Sequence, residues 1–175
     1  MPILRPTSLP SELESIAAEA DRLHESAAYS AQGQFEQAKL WRGLNAGLGV
    51  PAATLAAISG GTGLASKGNG TTPAILALLA AAFGAVLTTV NASRRMTQAQ
   101  ASANAYLEIQ TAARQFLTID LAHMAFEEAR EHLSVLTQRR DEVNKTSDPP
   151  SRYAYWRARN NIKQGGQDYE ADKGQ

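Results

Sequence analysis

The chain has 175 residues, enough for one domain, and it contains no cysteine, which excludes disulfides, thiolate metal sites and thiol catalysis. Its 17 basic and 17 acidic residues give a formal net charge of zero, which argues against a general nucleic-acid-binding protein. Aromatic residues make up only 6% of the chain while alanine is abundant, so the composition favours helices over a sandwich or barrel.

The first predicted element is a helix that follows a flexible lead-in at residues 1–10, where three prolines occur. Ser11 and Glu14 fit a capping box, so the helix is predicted to begin at Ser11 and to reach about residue 41. Apolar residues then recur at helical spacing, at Leu13, Ile16, Ala17, Ala20, Leu23 and Ala27.

Charged residues are nearly absent from residues 43–93, where Lys67 separates uncharged runs of 24 and 26 residues. A helix of that length rises about 36 Å, whereas the hydrocarbon core of a bilayer is about 30 Å thick. The runs therefore predict transmembrane helices at about 43–64 and 73–93, joined by a glycine-rich turn. The alternative is a buried pair in a soluble bundle, but soluble helices normally present charged positions to solvent every turn or so.

Each predicted span has a bulky face and a small face. We expect the bulky faces to meet lipid, with Leu44, Leu48, Pro51, Leu55 and Ile58 on the first span and Leu76, Leu79, Phe83, Val86 and Val90 on the second. Small faces allow close helix packing in lipid, either between the two spans or across subunits. The predicted packing residues are Gly49, Ala52, Ala56, Ala77, Ala81 and Ala85.

Basic residues flank both spans, and positive charge favours the cytoplasmic side. We therefore expect both termini in the cytoplasm and the short turn outside. The predicted anchors at the membrane interface are Trp41, Arg42, Arg94 and Arg95.

The remainder of the chain is predicted to be helical, at about 94–118, 120–146 and 151–164, followed by a polar tail at 166–175. Asp120 is the expected cap of the second of these helices, and Ser151 that of the third, after the stop at Asp148-Pro149-Pro150. The first carries a weakly apolar face formed by Ala99, Ala103, Tyr106, Leu107, Ala113 and Leu117.

A basic and aromatic segment, RYAYWRAR, begins at Arg152. It could contact anionic headgroups or stack on nucleic acid. The interpretation favoured by the pattern is a helix that packs Tyr155, Trp156 or Ile162 on the other cytoplasmic helices.

No catalytic motif is present in the sequence. His123 with Glu127 and Glu128 with His132 are four residues apart, but the two histidines fall on opposite faces and no H-E-x-x-H occurs. We therefore predict a protein that is not an enzyme, with no catalytic residues, no bound metal and no cofactor.

Several motifs resemble the SLATT domain, the two-transmembrane effector domain associated with SMODS and SLOG proteins. The strongest are W-R-G-L-N-x-x-L-G-V-P from Trp41 and D-P-P-S…A-Y…N-I…G-G-Q-x-Y from Asp148. The resemblance covers roughly residues 12–170 and defines a single SLATT-like domain at 11–165. It implies a bacterial inner-membrane effector of antiphage or other conflict systems, which forms pores when a nucleotide-signal enzyme or sensor activates it.

The expected fold class is therefore all-α, a two-helix transmembrane hairpin with a cytoplasmic helical bundle. Two spans cannot enclose a pore, so a pore requires a homo-oligomer in the lipid bilayer, with any sensor on a separate protein and no nucleic acid as partner. The polar residues that would line the pore, or form ordinary interhelical hydrogen bonds, are Asn45, Ser59, Thr88 and Asn91. The alternative function is a membrane-anchored adaptor that recruits a partner through its cytoplasmic helices.

Overall fold

A computed structural model describes residues 9–65 and 71–164 of the chain, and these residues are all-helical. The helices are α1 (Ser11–Ala65), α2 (Thr71–Val90), α3 (Ala92–Gln115), α4 (Phe126–Thr146) and α5 (Arg152–Lys163). A π-helical turn (Phe116–Asp120) and a 3₁₀ turn (Leu121–His123) connect α3 to α4. The predicted polar tail, most of the predicted lead-in and the centre of the predicted turn after α1 lie outside the described residues.

The chain divides into two compact units. The first, which we call the core unit, is formed by Met1–Gln37 and Gln98–Gln175, and the second, the apolar pair, is Ala38–Thr97. Helix α1 contributes residues to both units, since it is continuous from Ser11 to Ala65. The sequence predicts a boundary near residue 42, where the surroundings of the chain are expected to change from water to lipid. The helix has no break at this position.

The core unit is organised around the predicted apolar stripe of α1, all of which is buried. Its partners on α3 include Tyr106, Ile109 and Ala113, and α4 contributes Ala129 and Leu136. Most of the weakly apolar face predicted for α3 is buried as well, but Leu107 is exposed and Ile109 takes a core position that the pattern did not identify. Half of the residues in the α1 stripe are alanines, and they pack together with larger side chains such as Leu13 and Ile16.

The connection between α3 and α4 differs from the prediction that Asp120 caps a helix. Helix α4 begins at Phe126, its N-cap is Ala125, and Asp120 instead precedes the 3₁₀ turn without a side-chain cap. The physical reason is burial, because Phe116, Leu117 and Leu121 on the connection are the largest fully buried side chains of the described residues. Burying each is worth about 1.5–3 kcal/mol, whereas a capping side chain is worth about 1 kcal/mol.

The second apolar helix ends earlier than the predicted 93. Asn91 has φ of 52° and separates α2 from α3. Asparagine is one of the few residues other than glycine that adopts this left-handed conformation readily. The Asn91 N–H still donates to the carbonyl of Leu87 at 3.0 Å, so the last turn of α2 is closed.

Candidate functional site

The apolar pair consists of two helices that run in opposite directions. The Ser59 hydroxyl donates to the carbonyl oxygen of Pro73 at 2.7 Å, and Leu87 lies against Gly49, where an added Cβ would be 3.6 Å from the leucine methyl. Near the other end, the Arg95 guanidinium lies 5.3 Å from the centroid of the Trp41 ring. As the residue number increases along α1, the number of the residue that it contacts on α2 or at the start of α3 decreases, so the two helices are antiparallel.

Both helices of the pair are long and apolar enough to cross a membrane. Their most apolar 18-residue windows contain no buried residue, and α2 has none along its whole length. Large apolar side chains are instead exposed, with Val50 66% and Leu78 71% accessible. A soluble core helix of the same composition would be mostly buried, so the exposed surface is what distinguishes this pair.

The faces of α2 are arranged differently from the predicted lipid and protein sides. The half-buried face, which includes the contacts of Pro73 and Leu87 with α1, is formed by Pro73, Leu76, Ala80, Phe83, Gly84, Leu87 and Val90. A second face is exposed and bulky and carries Ile75, Leu78, Leu79 and Val86. The small residues Ala74, Ala77, Ala81, Ala85 and Thr88 form a third face, which is also exposed. A packing role for Ala77, Ala81 and Ala85 between the two helices of one chain is therefore not realised.

On α1 the predicted small face is only partly used. Gly49 and Ala52 are half-buried, and Gly49 accommodates Leu87 as described above, whereas Ala56 is exposed. Of the bulky stripe expected to face lipid, Leu44 and Ile58 are exposed, and Leu48, Pro51 and Leu55 are half-buried. The half-buried part of the helix thus includes both small and bulky side chains.

The four polar candidates of the pair differ in their environment. Ser59 forms the interhelical hydrogen bond to Pro73, and the Thr88 hydroxyl donates to the carbonyl of Gly84 in its own helix at 2.9 Å. Asn45 and Asn91 are exposed, and Asn91 also ends α2. The structure therefore does not gather the four side chains at one place within a single chain.

The predicted interface anchors lie at one end of the pair. Trp41 is half-buried beneath Arg95, while Arg42 and Arg94 are exposed. The Nε of Arg95 also donates to the carbonyl of Val90 at 3.2 Å, so this cation covers the exposed end of α2. The sequence identified Trp41 and Arg95 separately, and their contact follows from the antiparallel register.

In the core unit, the segment before α5 docks on α1. The Nε2 of Gln34 donates to the carbonyl of Asp148 at 2.6 Å, and the Ser151 N–H donates to the Oε1 of Gln37 at 3.0 Å. Gly33 lies beneath Pro150, whose Cγ would be 3.4 Å from an added Cβ. The predicted cap is confirmed, because the Ala154 N–H donates to the Ser151 hydroxyl at 3.3 Å.

Helix α5 is itself held by an ion pair with α1. The Nε of Arg157 lies 3.1 Å from the Oε2 of Glu36, whose side chain is only 3% accessible. A hydrogen bond with Tyr153 and the charge of Glu36 raise the pKa of Arg157 above its ordinary value. The guanidinium therefore remains protonated and serves as a fixed counterion for the buried carboxylate.

Of the residues by which α5 was expected to pack, Ile162 is half-buried, whereas Tyr155 and Trp156 are exposed. Ala154 and Ala158 are buried, whereas Tyr153, Tyr155 and Trp156 are 52%, 55% and 57% accessible. The three aromatic residues therefore lie on the outward side of α5.

The two histidines considered for metal binding lie in different elements. His123 lies in the 3₁₀ turn before α4, so His123 and Glu127 are not neighbours on one helix as the spacing suggested. His132 lies on α4 and its ring is 4.9 Å from that of Phe116. Across residues 9–65 and 71–164, no group of three or more His, Cys, Asp or Glu side chains is placed to hold a metal ion.

An open cleft of about 890 Å³ lies on the core unit. Tyr29, Tyr106 and Tyr155 line it together with polar groups such as Arg22 and Glu25. The Tyr106 hydroxyl donates to the Oδ1 of Asn144 at 2.5 Å, which fixes one wall of the cleft. No sequence pattern predicted this cleft, because its residues come from four separate segments.

Comparisons with protein-family models, with curated proteins and with solved structures found no match to this chain.

Proposed function

We propose that this chain is a two-transmembrane membrane effector that assembles into a pore-forming oligomer. The observation that carries the proposal is the exposed apolar surface of α2, on which no residue is buried. In water this surface would cost about 25 cal/mol for each Å² of apolar area, and a bilayer removes that cost. The antiparallel contacts of α1 and α2 support a transmembrane hairpin, with α1 crossing from about residue 43.

The charges support one orientation of this hairpin. Lys39, Arg42, Arg94 and Arg95 lie at the end of the pair where both helices are joined to the remainder of the chain. Positive residues favour the cytoplasmic side, so the core unit would be a cytoplasmic helical bundle and both termini would be cytoplasmic. For a bacterial protein this location is the inner membrane.

Assembly is proposed to use the small face of α2. Ala77, Ala81 and Ala85 are exposed on a face distinct from the bulky exposed face, and small residues permit close helix contacts in lipid. Asn45 and Asn91 are then the exposed polar side chains available to an inter-subunit surface or to water, since the hydroxyls of Ser59 and Thr88 already donate within the chain.

The effector role rests on the resemblance of the Trp41 and Asp148 motifs to the SLATT domain, which suggests a conflict system with membrane disruption as its outcome. The residues at the start of the Asp148 motif have a structural role in this chain, because they dock α5 on α1. The activating sensor or nucleotide-signal protein would be a separate chain.

A matched pair of substitutions tests the pore. Ala81 and Ala82 are neighbouring exposed alanines, but Ala81 belongs to the small face and Ala82 to the bulky exposed face. We expect purified protein to release dye from liposomes, and we expect Ala81→Leu to reduce release at least about tenfold by blocking close contact, whereas Ala82→Leu retains it.

Absence of dye or ion release under every activating condition would show that pore formation is wrong. Equal activity of the Ala81 and Ala82 variants would instead reject the small face as the assembly surface. Crosslinking of the same two variants in liposomes provides a control for oligomer formation.

A membrane-anchored adaptor is the second candidate, and the open tyrosine-lined cleft of the core unit favours it. Aromatic residues are common at protein interfaces, so Tyr29 and Tyr155 suit a partner segment. An adaptor needs the hairpin only as a tether. Replacing the small face with other apolar residues would then leave its biological effect intact.

A further inference from the structure

The outward face of α5 has the tryptophan at its centre. At 100° per residue, Trp156 lies opposite the buried Ala154 and Ala158. The basic residues nearest to it on the helix surface are Arg152 at i−4, Arg159 at i+3 and Lys163 at i+7, and all three are exposed. A large ring at the most outward position, with three exposed cations beside it along the helix, is therefore presented to the surroundings of the core unit.

The residues that hold α5 against α1 are not residues of its outward face. Arg157 pairs with Glu36, and the preceding Ser151 and Pro150 contact Gln37 and Gly33 of α1. The outward cations are thus not used for docking α5. Since the docking residues of α1 precede Arg42 by only five to nine positions, they are close in sequence to the uncharged run that begins at residue 43.

We propose that the outward face of α5 binds the anionic phospholipid headgroups of the membrane surface. The helix carries four basic residues and no acidic residue, whereas α4 carries four basic and five acidic residues. Tryptophan and tyrosine are enriched at the headgroup level, where an amphipathic ring can contact both lipid and water. Anionic lipid attracts exposed Lys and Arg side chains near the surface, and added salt weakens the attraction.

This proposal rests on the proposed function, in which membrane insertion of the apolar pair attaches the chain to a bilayer. The full-length chain can report the contact through its own tryptophan, because Trp41→Phe leaves Trp156 as the single tryptophan. The protein is reconstituted into nanodiscs of phosphatidylcholine with or without phosphatidylglycerol, and Trp156 fluorescence is quenched either by brominated lipid or by aqueous iodide.

We expect brominated lipid to quench Trp156 more strongly in the phosphatidylglycerol discs, and we expect this difference to disappear between about 0.1 M and about 1 M salt. Combining Arg152→Gln, Arg159→Gln and Lys163→Gln should lower the ratio of lipid-bound to free α5 on the order of a hundredfold. The matched control removes three cations of α4, by Arg130→Gln, Arg139→Gln and Lys145→Gln, and should leave the quenching unchanged.

If the protein integrates into the discs but Trp156 stays equally accessible to iodide in both lipids, the α5 proposal is overturned and the proposed function stands. Failure to integrate at all would overturn the proposed function and this proposal with it. A shift of Trp156 fluorescence on adding single-stranded oligonucleotide, without any response to anionic lipid, would assign the face to nucleic acid instead.

Discussion

His24 is a buried imidazole in the α1 stripe of the core unit. Burial lowers its pKa from the ordinary value of 6.5; Asp21 and Glu25 oppose this change, and Arg114 reinforces it. The folded protein therefore binds a proton at His24 less readily than the unfolded chain does. Because the unfolded state therefore binds more protons near and below about pH 6.5, the contribution of His24 to the free energy of unfolding falls as the pH falls through this range.

We predict that His24→Gln flattens this pH dependence. A single proton contributes a slope of at most about 1.4 kcal/mol per pH unit, so the thermal midpoint of wild-type protein in detergent should decrease measurably between about pH 7.5 and about pH 5.5. Circular dichroism measures the midpoints. His123→Gln is the matched control, since His123 is exposed, and a slope that is the same in all three proteins would contradict the assignment.

Single residues also mark the limit of what the sequence can predict. Trp41 and Arg95 are identified as anchors by their positions beside the uncharged runs, but their cation–π contact depends on the register of two helices. Asn91 is an ordinary polar residue in a helical pattern, and its φ of 52° reflects the junction of α2 and α3 rather than any local motif. An asparagine side chain allows the left-handed backbone conformation, but it does not make the residue adopt it.

At the scale of helices, the docking of α5 requires a small residue at position 33, where Gly33 lies against Pro150. An alanine methyl there would make ordinary contact with Pro150, at 3.4 Å from its Cγ, while a larger side chain would occupy the space of the proline ring. Overpacking costs about 1–3 kcal/mol, which corresponds to roughly a 5- to 150-fold change in the population of the undocked helix.

We predict that Gly33→Leu undocks α5 and that Gly33→Ala does not. The chain contains no cysteine, so Ala158→Cys introduces a single thiol at a position that is 1% accessible. Maleimide should label this thiol slowly when Gly33 is retained and in the Gly33→Ala variant, and about tenfold or more faster in the Gly33→Leu variant. Equally slow labelling of the leucine variant would indicate that Pro150 is not needed to hold α5.

The helices themselves could be predicted, because the apolar stripe of α1 follows the helical period over several turns and the uncharged runs are long. The sequence could not predict which face of α2 packs against α1. Both the alanine-rich and the leucine-rich faces of α2 are apolar, so their composition does not decide which of them packs against α1. The packing depends on the space available on α1, such as the space at Gly49 that accommodates Leu87. Similarly, the start of α4 follows from the burial of Leu121, a tertiary effect that outweighs the capping preference of Asp120.

At the scale of the whole molecule, the net charge of zero and the average composition conceal two units with different surfaces. The core unit fully buries Phe116, Leu117 and Leu121 and carries most of the charged residues of the chain. The apolar pair exposes large aliphatic residues and, between Arg42 and Arg94, has Lys67 as its one charged residue. If the pair alone requires lipid, its removal should convert the protein into a water-soluble one.

We predict that replacing residues 43–93 by a short Gly-Ser linker gives a soluble, folded core unit. Arg95 lies 5.3 Å from the centroid of the Trp41 ring, so the two ends to be joined are close, and closing so short a loop costs little entropy. After detergent-free lysis the shortened protein should remain in the supernatant and unfold cooperatively with the same His24-dependent pH slope, whereas the full chain should sediment with membranes. Aggregation of the shortened protein, or recovery of the full chain in the supernatant, would contradict the division of the chain between water and lipid.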